Sequence, residues 1–134
     1  MKVLIDTSIW SLAFRKAKKD QSEQQIIEKL QNLIKDHRAM IIGPIRQELL
    51  SGISSKSTFN KLKTLLEAFP DVILNTFDYE RAAEMYNSCR EKGIQGSHIN
   101  YLICSVAERQ HFSIFTLDKN FDRYAKHVPI ILFN

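Results

Sequence analysis

Two aspartates stand where two short apolar runs end. Asp6 closes Val3-Leu4-Ile5 and is followed by Thr7-Ser8, and Asp118 lies one residue beyond Ser113-Ile114-Phe115-Thr116. A carboxylate at the end of an apolar strand is desolvated, and keeping its charge there requires a cation or several hydrogen-bond donors. Two further polar residues belong to the same pattern: Glu48, about a turn past Pro44, and Asn100, the third residue after Ser97. Taken singly, each aspartate could equally cap the helix after it. Glu48 could be an ordinary glutamate near a positive helix N-terminus, and Asn100 a polar first-turn residue. Taken together, Asp6, Glu48 and Asp118 with the amide of Asn100 form a set of hard oxygen donors of the kind that suits Mg²⁺ or Mn²⁺. An ion held in this way activates a water, orients it for in-line attack on a phosphodiester and stabilises charge on the leaving oxygen.

The elements that position these residues read as α/β. Short β-rich runs alternate with longer segments of helical period, the pattern of βαβ units around a mainly parallel sheet. Five strands are expected, over residues 2–6, 39–43, 72–76, 112–116 and 129–133. In such a sheet ligands bind beyond the carboxyl ends of the strands, the edge that Asp6 and Asp118 share. Ile26, Ile27, Leu30, Leu33 and Ile34 predict a helix over 21–36 with one face on the sheet. Pro44 opens a short helix that carries Glu48 and closes near Gly52. Ser57 is the expected cap of a helix carrying Phe59, Leu62, Leu65, Leu66 and Phe69, stopped by Pro70. Asp78 is the expected cap of the next, with Ala82, Ala83, Tyr86 and Cys89 inward and Gly93 past its end. Ser97 caps 99–110, whose buried stripe is Ile99, Leu102, Ile103, Val106 and Ala107. A short helix over 119–126 follows Asp118.

With 134 residues and 44% hydrophobic content the chain has the size of one domain, 1–134, with a single core. Its two cysteines, Cys89 and Cys104, have no CxxC or Cys/His neighbours and read as buried thiols in a reducing cytosol. Residues 1–6 reach a carboxylate after three apolar residues, too soon for a secretory signal, and no run approaches a membrane span, so a cytoplasmic protein is expected. A formal net charge of +4 agrees with an acidic partner such as nucleic acid. Arg15, Lys16, Lys18 and Lys19 mark the one loose stretch, read as a solvated turn. No Gly-rich phosphate loop follows the first strand, and no G-x-S-x-G elbow is present. Of the four histidines, only His98 is expected near the cavity.

The motifs at these residues resemble those of PIN-domain ribonucleases of the VapC toxin class. Leu4-Ile5-Asp6-Thr7-Ser8 followed by Trp10 is similar to the family's opening Asp-Thr-Ser strand end. Ile45-Arg46-Gln47-Glu48-Leu49-Leu50-Ser51-Gly52 is similar to its glutamate helix, and Thr116-Leu117-Asp118-Lys119-Asn120-Phe121 to its Thr-x-Asp-x-x-Phe stretch. The likeness runs from Met1 to the final strand, with one departure. The helix that opens with aspartate in the family opens here with Asn100-Tyr101-Leu102-Ile103. That substitution is either a natural divergence or an inactivating replacement.

The resemblance implies a PIN-like domain and an Mg²⁺- or Mn²⁺-dependent ribonuclease that leaves a 5′-phosphate and a 3′-hydroxyl. It implies an RNA substrate and a cognate antitoxin bound across the cavity. Asp6 and Asp118 would be metal ligands, Glu48 a ligand or a base, and Asn100 a ligand position of reduced competence, leaving the chain weakened or inactive. Ser8 and Thr116 would orient these groups, and Arg46, Lys119 and Arg123 would hold the RNA backbone. Trp10, Phe14 and Leu50 are expected on a surface for antitoxin binding or for a homodimer. Two alternatives remain: a non-catalytic PIN domain that binds RNA or a partner protein, and a receiver domain, which would need an acidic pair where Asp6-Thr7-Ser8 stands.

Overall fold

The most apolar segment of the chain, Val3-Leu4-Ile5, becomes its central strand. In the computed structural model, which describes every residue from Met1 to Asn134, β1 (Val3–Ile5) is wholly buried. It lies between β2 (Ala39–Met40) and β3 (Ser113–Phe115) in a three-stranded sheet of order β2-β1-β3. Both pairings are parallel, with Val3 opposite Ala39 on one side and Ser113 on the other. Parallel neighbours need crossovers, and helices supply them. They are α1 (Thr7–Phe14), α2 (Gln21–Lys35), α3 (Gly43–Leu50), α4 (Lys56–Leu66), α5 (Thr76–Glu91), α6 (His98–Gln110) and α7 (Asn120–Tyr124).

The two outer strands expected from sequence shrink to single parallel bridges, Ile41 with Asp71 and Ile114 with Leu132. Each has a local cause. Asn75 caps α5, so residues 75 and 76 are drawn into the helix, and the segment 72–76 keeps one sheet bond, Val72 N to Ile41 O at 2.9 Å. On the other edge Pro129 has no N–H to give, and Ile130 N turns back to Val128 O. Only Ile131 O and Phe133 N remain to pair with Ile114.

Helix positions follow the apolar periodicity, whereas two caps fall earlier than expected. Ser55 rather than Ser57 caps α4, accepting from Thr58 N at 3.3 Å. Asn75 rather than Asp78 caps α5, and Asp78 is the third helical residue of a reciprocal capping box, returning a bond to Asn75 N at 3.0 Å. On α5 the inward position expected of Ala83 is taken by Met85, and Ala83 is exposed. Ser97 caps α6 as expected, with Asp20 and Glu23 forming a second capping box on α2. The helix after Asp118 is shorter than 119–126 and ends in turns.

One continuous apolar core joins both faces of the sheet, and Cys89 and Cys104 lie wholly inside it. Burial pushes the Cys104 thiol well above its ordinary range. Neither thiol is expected to react with a water-soluble disulfide reagent at neutral pH until the protein unfolds, because attack needs an accessible thiolate. A colorimetric thiol count with and without denaturant checks this. One fast-reacting thiol in the native state would contradict it. No helix is long and apolar enough to cross a membrane.

Candidate metal centre

Asp6 follows the last residue of β1 and occupies the N-cap position of α1, yet its side chain makes no capping bond. Instead it turns along the sheet edge. Its Oδ2 accepts from Ser8 Oγ at 2.8 Å and from Thr116 Oγ1 at 2.7 Å. Those two hydroxyls spend their protons on Asp6 and use their lone pairs on the chain leaving β3. Leu117 N donates to Ser8 Oγ at 2.9 Å, and Asp118 N donates to Thr116 Oγ1 at 2.9 Å. The end of β1 and the end of β3 are thus tied together through four hydrogen bonds. The Oδ1 of Asp6 accepts none and keeps a small opening to solvent, the residue being 5% exposed.

Asp118 sits just past this knot. Its Oδ1 accepts from Asn120 N at 2.9 Å, so it also steadies the entry to α7. Its Oδ2 faces α6, where Asn100 Nδ2 approaches to 3.4 Å. Asn100 is placed by the Ser97 cap, which accepts from Asn100 N at 3.1 Å. The second proton of the Asn100 amide goes to Tyr124 Oη at 3.2 Å. Burial holds the Tyr124 phenol above its ordinary range and the Asn100 bond only partly opposes this, so it stays protonated at neutral pH.

Three of the four residues singled out from sequence, Asp6, Asn100 and Asp118, therefore belong to one hydrogen-bonded cluster at the carboxyl edge of the sheet. Glu48 stands outside it. Ile45 and Leu49 are the buried residues of α3, which leaves Glu48 exposed on a shallow cavity of about 360 Å³. That cavity is also lined by Pro44, Gln47, Ser51 and Ile99, the neighbour of Asn100. Nowhere do three His, Cys, Asp or Glu side chains converge.

Several expected neighbours are employed elsewhere. The Arg46 guanidinium ties α3 to the end of α4, pairing with Asp71 at 3.0 Å and donating to Leu66 O and Phe69 O, so it is not free to hold a phosphate. His98 stacks on Tyr86 with ring centroids 5.2 Å apart, on the α5–α6 groove and not in the cavity. Trp10 is 1% exposed and packs against Phe14 and Phe69, so it is core; Phe14 and Leu50 are half-buried. Lys119, next to Asp118 on the rim of one cavity, and Arg123, on α7, are both exposed. Tyr124 was not singled out from sequence, and its one linear signal is the spacing of three from Phe121 that puts both on the inner face of α7.

The donor set fits a divalent ion. Asp6 Oδ1 accepts from no protein group and keeps access to solvent, and Asp118 Oδ2 has only one long amide contact. Rotation of the Asn100 amide would add a carbonyl oxygen. Mg²⁺ is commonly held by one or two carboxylates with the rest of its shell water, so two suffice, though with less charge than three would give.

Residues 3–127 match the PIN domain family. Ribonuclease VapC11 of Mycobacterium tuberculosis is 30% identical over 128 residues, 92% of each chain. Among solved structures, FitAcB from Neisseria gonorrhoeae has a TM-score of 0.78 at 17% identity, covering 98% of this chain and 96% of that one. VapBC2 from Rickettsia felis, solved with a DNA fragment from its promoter, has a TM-score of 0.76 at 21% identity, covering 100% and 98%. At such identities the structures establish the fold, and the matched family with its near full-length relative establishes the rest: this chain belongs to the PIN domain family and is of the VapC type.

Proposed function

We propose that the chain is a divalent-metal-dependent ribonuclease, the toxin of a cytoplasmic toxin–antitoxin pair, and that Asn100 leaves it weak or inactive as it stands. The observation that supports the reading is the knot of Ser8 and Thr116 that ties the Asp6 carboxylate to the backbone at Leu117 and Asp118 while Asp6 Oδ1 accepts from no protein group. Asp6 and Asp118 would hold Mg²⁺ or Mn²⁺, with Asn100 a neutral third donor. When bound, the ion supplies an activated water and stabilises charge on the phosphate. The protein's own groups do the positioning. Ser8 and Thr116 lock the Asp6 carboxylate, Asp118 is locked by the start of α7, and Lys119 and Arg123 take the RNA backbone in place of Arg46. Glu48 acts from the α3 side, as an outer ligand or a base.

An apolar groove of about 310 Å³ between α1, α2 and the end of α4 supports the antitoxin part of the reading. Ala13, Phe14, Ile27 and Leu65 line it, Leu65 being 55% exposed, and an apolar segment of an antitoxin fits there. Self-association as a homodimer belongs to the same reading, and the exposed Ile73, Phe77 and Tyr79 at the entry to α5 are the apolar surface available for it.

A second reading, a PIN domain that binds RNA or a partner protein without cutting, is favoured by one feature. The Asn100 amide donates to Tyr124 and weakly to Asp118, so position 100 has hydrogen-bond partners without a cation. Digestion of total RNA separates the two. The Asn100→Asp protein is expected to give chelator-sensitive fragments bearing 5′-phosphates, and Asp6→Asn in that background is expected to abolish them. No fragments from any form would leave the binding module.

A further inference from the structure

The side chain at position 100 has two partners, and only one of them is a carboxylate. The other, Tyr124, is 0% exposed, with its ring packed against Tyr101 at 4.9 Å and Phe121 at 5.1 Å between centroids. Its hydroxyl reaches Asn100 because residue 96 is glycine. A Cβ there would overlap Tyr124 Oη and lie 2.8 Å from its Cζ and 2.9 Å from Tyr101 Cε2. Both rings are held by the core, so neither can give way cheaply. Gly96 sits one residue before the Ser97 cap, so the segment that starts α6 also opens the space for the phenol.

We infer that Tyr124, admitted by Gly96, is a positioning residue that aims the side chain of residue 100 at Asp118. This deepens the metal-site reading above and rests on it. A phenol suits the task because it can accept or donate. With asparagine at position 100 it accepts one amide proton, which turns the other toward Asp118 Oδ2. With aspartate at that position the same hydroxyl would donate to one carboxylate oxygen and leave the other for a cation. Outer partners of this kind are what orient metal-binding carboxylates. The aromatic contact of Tyr124 with Tyr101 is core packing that phenylalanine would keep, so the hydroxyl can be tested apart from the ring.

The test uses Tyr124→Phe and Gly96→Ala, one deleting the hydroxyl and the other displacing it. In the full chain without metal, the side-chain amide protons of Asn100 are followed by nuclear magnetic resonance, with Asn60 and Asn87 as internal controls. Tyr124→Phe is expected to shift the Asn100 signals alone, and both variants are expected to speed the exchange of those protons with water by roughly fivefold to tenfold, the equivalent of one lost hydrogen bond. Unchanged Asn100 signals in Tyr124→Phe would overturn the inference. A second arm measures Mn²⁺ affinity in the Asn100→Asp background, where Tyr124→Phe is expected to weaken binding roughly tenfold. Equal affinity with and without the hydroxyl would also overturn it. Absence of Mn²⁺ binding in every form would sink the nuclease reading instead, and the Asn100 signals, recorded without metal, would still decide whether Tyr124 aims that side chain.

Discussion

Replacing Asn100 by aspartate is expected to raise Mn²⁺-dependent RNA cleavage by roughly a hundredfold or more, and to lower the melting temperature of the metal-free protein. Both effects come from one charge. Asn100 Nδ2 now donates toward Asp118 Oδ2 across 3.4 Å, a weak attraction. A carboxylate in that place turns the contact into a repulsion between like charges. At about 4 Å such a pair is worth about 4 kcal/mol at an effective dielectric of about 20. Both residues are half-buried, so solvent screens the pair and about 1–2 kcal/mol of destabilisation remains. That corresponds to a fall of about 3–10 °C for a domain of this size. A divalent cation reverses the sign, because the third carboxylate adds to its attraction. Saturating Mn²⁺ at about a hundred times its dissociation constant would return about 2.7 kcal/mol. Thermal melts of the two proteins in chelator and in Mn²⁺, beside the RNA digestion, check both halves. Equal and strong cleavage by the two proteins, or identical melts in chelator, would show that position 100 neither binds the ion nor feels Asp118.

How much of this was legible in sequence differs from residue to residue for physical reasons. Asp6 and Asp118 could be read because each ends a strongly apolar run, and parallel strands that end together bring their last residues together. The caps of α4 and α5 were misplaced by two and three residues, as Ser57 for Ser55 and Asp78 for Asn75. In both cases two acceptors lie within the same turn, and a capping box puts an acid at its third helical residue that looks like a cap by itself. The outer strands were misread because alternation shows only that a segment is half-buried, whereas strand length depends on which N–H groups remain free to pair. Arg46 shows a different limit. Nothing local reveals that the carbonyls of Leu66 and Phe69 end within its reach, so it looked like a free cation beside the cavity. Tyr124 lies 24 positions from Asn100, and their bond exists only because α6 and α7 meet over Gly96.

The largest expected loss of stability lies away from the metal centre, in the ion pair of Arg109 with Asp78. Asp78 is 0% exposed. It accepts from Arg109 Nε at 2.6 Å and Nη2 at 2.8 Å while also closing the α5 capping box. Arg109 Nη2 donates in addition to Ile73 O at 3.1 Å, so one guanidinium pins the C-terminal end of α6 to the entry of α5. The two partners are not equivalent. The Arg109 side chain is 25% exposed and would be rehydrated if it lost its partner, whereas Asp78 has no route to water. Arg109→Ala is therefore expected to cost about 3–5 kcal/mol, the penalty of a stranded buried charge, a large share of the roughly 5–15 kcal/mol that holds a domain together. Asp78→Asn removes the stranded charge and keeps an acceptor for Asn75 N, so it should cost less, and Asp78→Asn combined with Arg109→Ala should be more stable than Arg109→Ala alone. The neighbouring pair of Arg81 with Glu108 at 2.8 Å is the control, since both side chains are partly in water. Arg81→Ala should cost about 1 kcal/mol or less. Urea unfolding of the four variants beside the parent chain measures all of this. Equal losses for Arg109→Ala and Arg81→Ala would show that the buried carboxylate finds water or a proton when its partner is gone.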